Sequence, residues 1–107
     1  MGRPFYVKEW FVAVTVVLQV PAQPGKGAEL AKVFEEILPD TRAYKGCNGV
    51  TVHADASDAD QLTLIESWDS AEDHAAYSNW RKDSGTLGGV MGLAAGRPVT
   101  TVLNNLS

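Results

Sequence analysis

The amino-acid sequence predicts an α+β fold of the ferredoxin-like type, a βαββαβ chain with one antiparallel sheet. Three observations lead there. Leu62, Leu64, Glu66 and Trp68 share one parity of a period-2 run that stops at a helix-start signal, Asp69-Ser70-Ala71-Glu72-Asp73. Leu30, Val33, Phe34, Ile37 and Leu38 recur at helical spacing instead. Two further β-branched runs, over residues 10–20 and 99–103, stand near the two ends of the chain.

Each element follows in order. Residues 1–9 read as a loose lead-in to a single domain over 10–107. Residues 10–20 are rich in Val and bounded by Pro21 and Pro24, which predicts a strand. Pro24-Gly25 opens a helix with Lys32, Glu35 and Glu36 on its polar side, and Pro39 ends or kinks it. Thr41 to Lys45 adds at most a short turn before Gly46. Residues 47–54 alternate, with Val50 and Val52 on one side and Thr51 and His53 on the other, so they form a second strand. Residues 55–60 carry four polar side chains among six, the composition of a turn. The strand 62–68 then closes an antiparallel hairpin. Ser70 is a suitable N-cap with Asp73 three positions on, which predicts a second long helix over 71–82.

Residues 84–96 are less regular. Leu87, Val90, Met91 and Ala94 keep helical spacing, but Gly85, Gly88, Gly89 and Gly92 are interleaved with them. An interior glycine costs about 1 kcal/mol of helix stability relative to alanine. A short, frayed helix or a mobile lid is expected, ended by Gly96 and Pro98.

The order β-α-β-β-α-(short α)-β is the split-βαβ arrangement. Two helices then cover one sheet face, and the Val- and Thr-rich opposite face needs a partner. A homodimer through that open face is the natural arrangement.

Composition narrows the function classes. The chain has 107 residues and a net charge of −4, with nine scattered basic residues, so neither nucleic acid nor an anionic membrane is an expected partner. The apolar run from Phe11 to Val20 is too short to span a bilayer. Cys47 is the single cysteine, so no intrachain disulfide forms, which fits a reducing cytoplasm. His53 and His74 make no helical metal pair with a third ligand, so no metal is expected. Gly88-Gly89-Val90-Met91-Gly92 lacks the Lys and following Ser or Thr of a phosphate loop.

Three segments together resemble the antibiotic biosynthesis monooxygenase domain family. They are Pro24-Gly25-Lys26, Thr41-Arg42-Ala43-Tyr44-Lys45-Gly46-Cys47, and Glu66-Ser67-Trp68-Asp69-Ser70-Ala71-Glu72. The resemblance runs over roughly residues 11–104. It implies a dimeric α+β barrel, two sheets face to face with helices outside, and a cavity between sheet and helices in each protomer. It also implies activities: some relatives oxidise phenols, anthrones or quinols with O2 and no metal or flavin, and others degrade haem. The chain departs from several family patterns. Tyr77 stands nine residues after Trp68, where quinol-oxidising relatives carry histidine. Leu64 stands where relatives acting on tricyclic phenols have asparagine, and His74 where they have tyrosine. The first strand offers Gln19 but no asparagine, so haem degradation is disfavoured.

The candidate site centres on the junction of the third strand with the second helix. His74, Tyr77, Trp80 and Arg81 fall on one broad helical face. An acid on an apolar strand face is costly unless paired or wet, which singles out Glu66. If that helical face meets Trp68, the pocket suits a flat aromatic ligand. In the oxygenase reading His74 is the base, Arg81 stabilises the anion, and residues 85–92 are the lid. Glu66, Trp68, Tyr77, Trp80 and Met91 contact the substrate, O2 is the oxidant, and no cofactor is needed. Two alternatives stand beside it: a non-catalytic dimer that binds aromatics in the same pocket, and a structural dimer in which Trp68, Tyr77 and Met91 fill the space themselves. In those, Glu66 pairs with a basic neighbour, Arg42 or Arg81, and His53 is structural or interfacial.

Overall fold

The computed structural model describes residues 12–107. The expected lead-in over 1–9 and the first two positions of the first strand lie outside the described residues. The elements are β1 (Val14–Pro21), α1 (Gly27–Arg42), β2 (Cys47–Asp55), β3 (Asp58–Trp68), α2 (Ala71–Ser84), α3 (Gly88–Leu93) and β4 (Val99–Asn104). The sheet order is β2-β3-β1-β4, and every pairing is antiparallel. This is the ferredoxin-like arrangement, with each helix returning the chain across the same sheet face.

Strand parity decides what lies beneath the helices. Val14, Val16 and Val20 of β1 and Leu62, Leu64, Glu66 and Trp68 of β3 point inward and are buried. Val20, Leu62 and Leu64 among them cluster with Leu30, Phe34 and Leu38 of α1, whose spacing places these three on one stripe. Each such side chain stabilises the fold by about 1.5–3 kcal/mol through removal from water. A second cluster gathers Val14, Val16, Trp68 and Tyr77 at the α2 end. On the opposite face, Ile65, Val99 and Leu103 are exposed.

Among the boundaries that differ from the sequence expectation, three have a visible physical reason. Helix α1 does not stop at Pro39 but continues to Arg42. Its last turn is held by tertiary bonds at the fully buried Thr41, and these outweigh the amide that proline removes. β3 begins at Asp58 instead of Leu62, because the 55–60 turn tightens to Ala56-Ser57 with Asp55 opposite Asp58. Helix α2 extends to Ser84, where Gly85 takes the left-handed conformation (φ 74°) that ends it.

Two devices fix the helix starts. Ser70 Oγ accepts the Asp73 amide at 3.1 Å, as the cap pattern implies. The N-cap residue of α1, Lys26, supplies no side-chain bond. Asp60 of β3 does so instead, accepting the amides of Gly25 and Gly27 at 2.9 Å each. Here the helix rides so close to β3 that a side chain on Gly27 would collide with the Ala59 carbonyl.

Candidate functional site

A cavity of about 340 Å³ opens between the inner sheet face and the helices. Its floor is Val16, Leu18 and Val20 of β1 with Leu64 and Glu66 of β3. Phe34, Ile37 and Leu38 of α1 form one wall, and His74, Tyr77, Ser78 and Arg81 of α2 form the other. Leu87, Val90 and Met91 close the third side, and Lys82 of α2 and Thr100 of β4 also belong to the lining. Helix α3 is held there from its far end: Gln23 donates its amide to Leu93 O at 2.8 Å, and Ala95 donates to Pro21 O at 2.8 Å.

The α2 wall follows from helical spacing, since 74, 77, 78 and 81 are i, i+3, i+4 and i+7. The polar groups cluster at one end of an otherwise apolar chamber. Glu66 is buried, and its Oε1 accepts the Trp68 indole N–H at 2.8 Å. His74 Nε2 lies 3.9 Å from the same oxygen and 3.4 Å from Ser78 Oγ. Burial pushes the Glu66 carboxyl up from the usual range, against the opposing effects of the Trp68 hydrogen bond and the Arg81 charge. Burial pushes the His74 imidazole down. Both groups are therefore biased toward their neutral forms.

Arg81 is nearly fully buried, and no carboxylate lies within ion-pair distance among the described residues. Its charge is satisfied by neutral acceptors. Nε donates to Tyr77 OH at 3.0 Å, Nη1 to Thr86 Oγ1 at 2.9 Å, and Nη2 to Ile37 O at 2.9 Å and Thr41 Oγ1 at 2.7 Å. Thr41 and Tyr77 close the ring at 2.6 Å. This uses four of the five guanidinium hydrogens, leaving one on Nη1. The network locks α1 to α2 and fixes a positive charge in the cavity wall.

Of the residues expected to meet a ligand, Glu66, His74, Tyr77, Arg81 and Met91 line the cavity. Trp68 and Trp80 do not. Trp68 is fully buried behind Tyr77 (ring centroids 5.1 Å apart), and its one polar group, the indole N–H, is spent on Glu66. Trp80 turns outward, packs on Tyr44 at 5.4 Å, and covers the Arg81 guanidinium at 4.8 Å. The helical face from His74 to Arg81 is wider than the cavity, so its flank packs on other elements. The anticipated pairing of Glu66 with Arg42 is not seen: Arg42 Nη2 donates to Val50 O at 2.9 Å.

Sequence reasoning missed Thr41, Thr86 and Tyr44. Thr41 had a signal, because it continues the stripe Leu30, Phe34, Leu38 once the helix is carried past Pro39. Thr86 and Tyr44 lie in turns, where no periodicity marks them.

The sequence profile described as antibiotic biosynthesis monooxygenase matches residues 13–82. Solved structures share the fold at low identity. A Caulobacter crescentus CB15 protein carrying the antibiotic biosynthesis monooxygenase name is 18% identical, with 95% of this chain and 99% of that one covered and a TM-score of 0.79. A conserved protein from Methanosarcina mazei Go1 is 15% identical, with 94% and 99% covered and a TM-score of 0.78. SnoaB, a cofactor-independent oxygenase from Streptomyces nogalater, is 14% identical, with 89% and 94% covered and a TM-score of 0.76. No curated protein matches the chain in sequence. No described helix is long and apolar enough to cross a membrane.

Proposed function

The chain belongs to the antibiotic biosynthesis monooxygenase family, and on that premise we propose that it is a cofactor-independent monooxygenase oxidising a small aromatic phenol or quinol with O2. The observation that carries this reading is the polarity of the cavity. It is an apolar chamber with a neutral base, a buried acid and a fixed cation gathered on one side. Its volume of about 340 Å³ lies within the range of small-molecule sites, roughly 300–1,000 Å³.

The chemistry needs little more. A phenol must lose its proton before its ring can pass an electron to O2. His74, held neutral by burial, accepts that proton at Nε2. The Arg81 charge, oriented by Thr41, Tyr77, Ile37 and Thr86, favours the resulting phenolate. Apolar walls exclude water while the ring and O2 react. Overall, a phenol's para C–H and hydroxyl become a quinone, or a quinol becomes a quinone with one further ring C–H hydroxylated; in each case one oxygen atom enters the product and the other leaves as water. Tyr77 and Met91 shape the slot for the flat ring.

The reading includes a homodimer through the open sheet face. Ile65, Val99 and Leu103 lie exposed on that face, an apolar surface that pairing of two sheets would bury.

The test is O2 uptake by metal-stripped protein across hydroquinones, anthrones and naphthols. Turnover is expected to fall about 10²- to 10⁴-fold in His74→Ala, the usual contribution of a positioned base. Binding of these compounds without uptake of O2 overturns the oxygenase reading in favour of a binding protein.

A further inference from the structure

The buried carboxyl of Glu66 has one oxygen with no assigned task. Oε1 is taken by the Trp68 indole at 2.8 Å, but no hydrogen bond reaches Oε2 among the described residues. The side chain is only 5% exposed and lines the cavity. An unpaired buried carboxyl oxygen is costly, and folded proteins retain few of them. The cost is removed when a ligand supplies the partner. The position of His74 narrows what that ligand atom is. Its Nε2 stands 3.9 Å from Glu66 Oε1, too far for a direct hydrogen bond. The imidazole and the carboxyl thus stand side by side with no bond between them, and one ligand oxygen can meet Nε2 and the free Oε2 together.

We propose that Glu66 is the hydrogen-bond donor to the substrate oxygen whose proton His74 removes. This rests on the oxygenase reading for its chemistry and deepens it by identifying the ligand class: a hydroxyarene whose single hydroxyl sits between the two side chains. One proton moves, from the substrate hydroxyl to Nε2. Glu66 keeps its own proton on Oε2 and shares it with the developing oxyanion. Trp68 orients the carboxyl by fixing Oε1, which leaves Oε2 turned to the ligand.

The surroundings suit a neutral acid. Facing Glu66 are His74 and Arg81 of α2 and Cys47 of β2, with Arg42 of α1 reaching the carbonyl of Val50, its cross-strand neighbour. Burial raises the carboxyl and lowers the imidazole, so an acid that donates and a base that accepts stand side by side.

The amide of glutamine separates this role from the others. Glu66→Gln keeps a carbonyl oxygen for Trp68 and presents an N–H where Oε2 was, whereas Glu66→Ala presents nothing. The probe is 1-naphthol, which has a free C–H para to its hydroxyl and whose neutral and ionised forms differ in absorbance, titrated into each variant. The wild type is expected to bind it with the ionised form enriched. Glu66→Ala should weaken binding about 10- to 100-fold, the equivalent of one hydrogen bond to a charged group. Glu66→Gln should restore most of that loss, and the weakening that ionisation of Glu66 imposes on the wild type as pH rises should be absent from it. Circular dichroism and thermal melts of each variant exclude unfolding as the cause. Equal loss in the Gln and Ala variants, or no loss in Ala, overturns the assignment. So does a wild type that does not bind naphthol. The binding pattern with no O2 uptake refutes the oxygenase reading while leaving the Glu66 assignment standing.

Discussion

Thr41→Val changes one buried hydroxyl to a methyl of nearly the same shape, and its effect can be worked out from the structure. Thr41 Oγ1 accepts from Arg81 Nη2 at 2.7 Å and pairs with Tyr77 OH at 2.6 Å, all three side chains being buried. A hydrogen bond to a charged group contributes about 1.5–3 kcal/mol and a neutral one about 1 kcal/mol, so the variant should lose roughly 2–4 kcal/mol. That is a large part of the ~5–15 kcal/mol stability of a typical domain. The assay is urea unfolding followed by tryptophan fluorescence at one fixed protein concentration, since dimerisation would make the midpoint depend on concentration. With a slope near 2 kcal/mol/M, the midpoint should fall by about 1–2 M with the slope unchanged. Thr41→Ser keeps the hydroxyl and gives up one methyl, so it should cost only about 1 kcal/mol. If Val and Ser variants are equally stable, or if Val matches the wild type, the Arg81 network contributes no net stability and the account of its buried charge is wrong.

Other predictions follow from separate features. Asp60→Ala removes both amide bonds at the start of α1 and should cost about 1–2 kcal/mol in the same assay. Gly27→Ala should be worse, because the added carbon meets backbone that cannot yield, and an equally stable variant would rule out the close approach. Stability should depend on pH through two groups. The Glu66 carboxyl is raised, so its contribution is complete below the unfolded-state value and is lost as pH rises through the folded one; Glu66→Gln should flatten that fall. The His74 imidazole is lowered, so its contribution is complete above the unfolded-state value and is lost as pH falls through the folded one. An NMR titration of the His74 ring showing an elevated midpoint would contradict the burial argument. Sedimentation should show a dimer that Ile65→Lys with Leu103→Lys dissociates; a wild-type monomer would remove the open-face pairing.

Much of the site was legible in the sequence because it rests on local periodicity. The parity of residues 62–68 put Glu66 and Trp68 on the core face, and the spacing of 74, 77 and 81 put three site residues on one face of α2. Ser70 was identifiable as a cap from its neighbours alone. Trp80 illustrates the limit: helical spacing groups it with Arg81 and Tyr77, but the packing of Tyr44 draws it outward. Pro39 illustrates another, since a local rule against proline yielded to distant bonds at Thr41.

The sequence by itself determined the order of elements, which face of each strand turns inward, and the types of side chain that can meet there. Those properties depend on neighbours a few residues apart, within reach of periods of 2 and 3.6. Only the tertiary structure decided that Arg81 is bound by Thr41 and Ile37, 40 and 44 positions away along the chain. It likewise decided that a cavity remains between sheet and helices and that Glu66, which lines it, has one carboxyl oxygen without a hydrogen-bond partner among the described residues. Such features arise from the distance between packed surfaces, which is set by the sum of all side-chain volumes and not by the pattern along any one element.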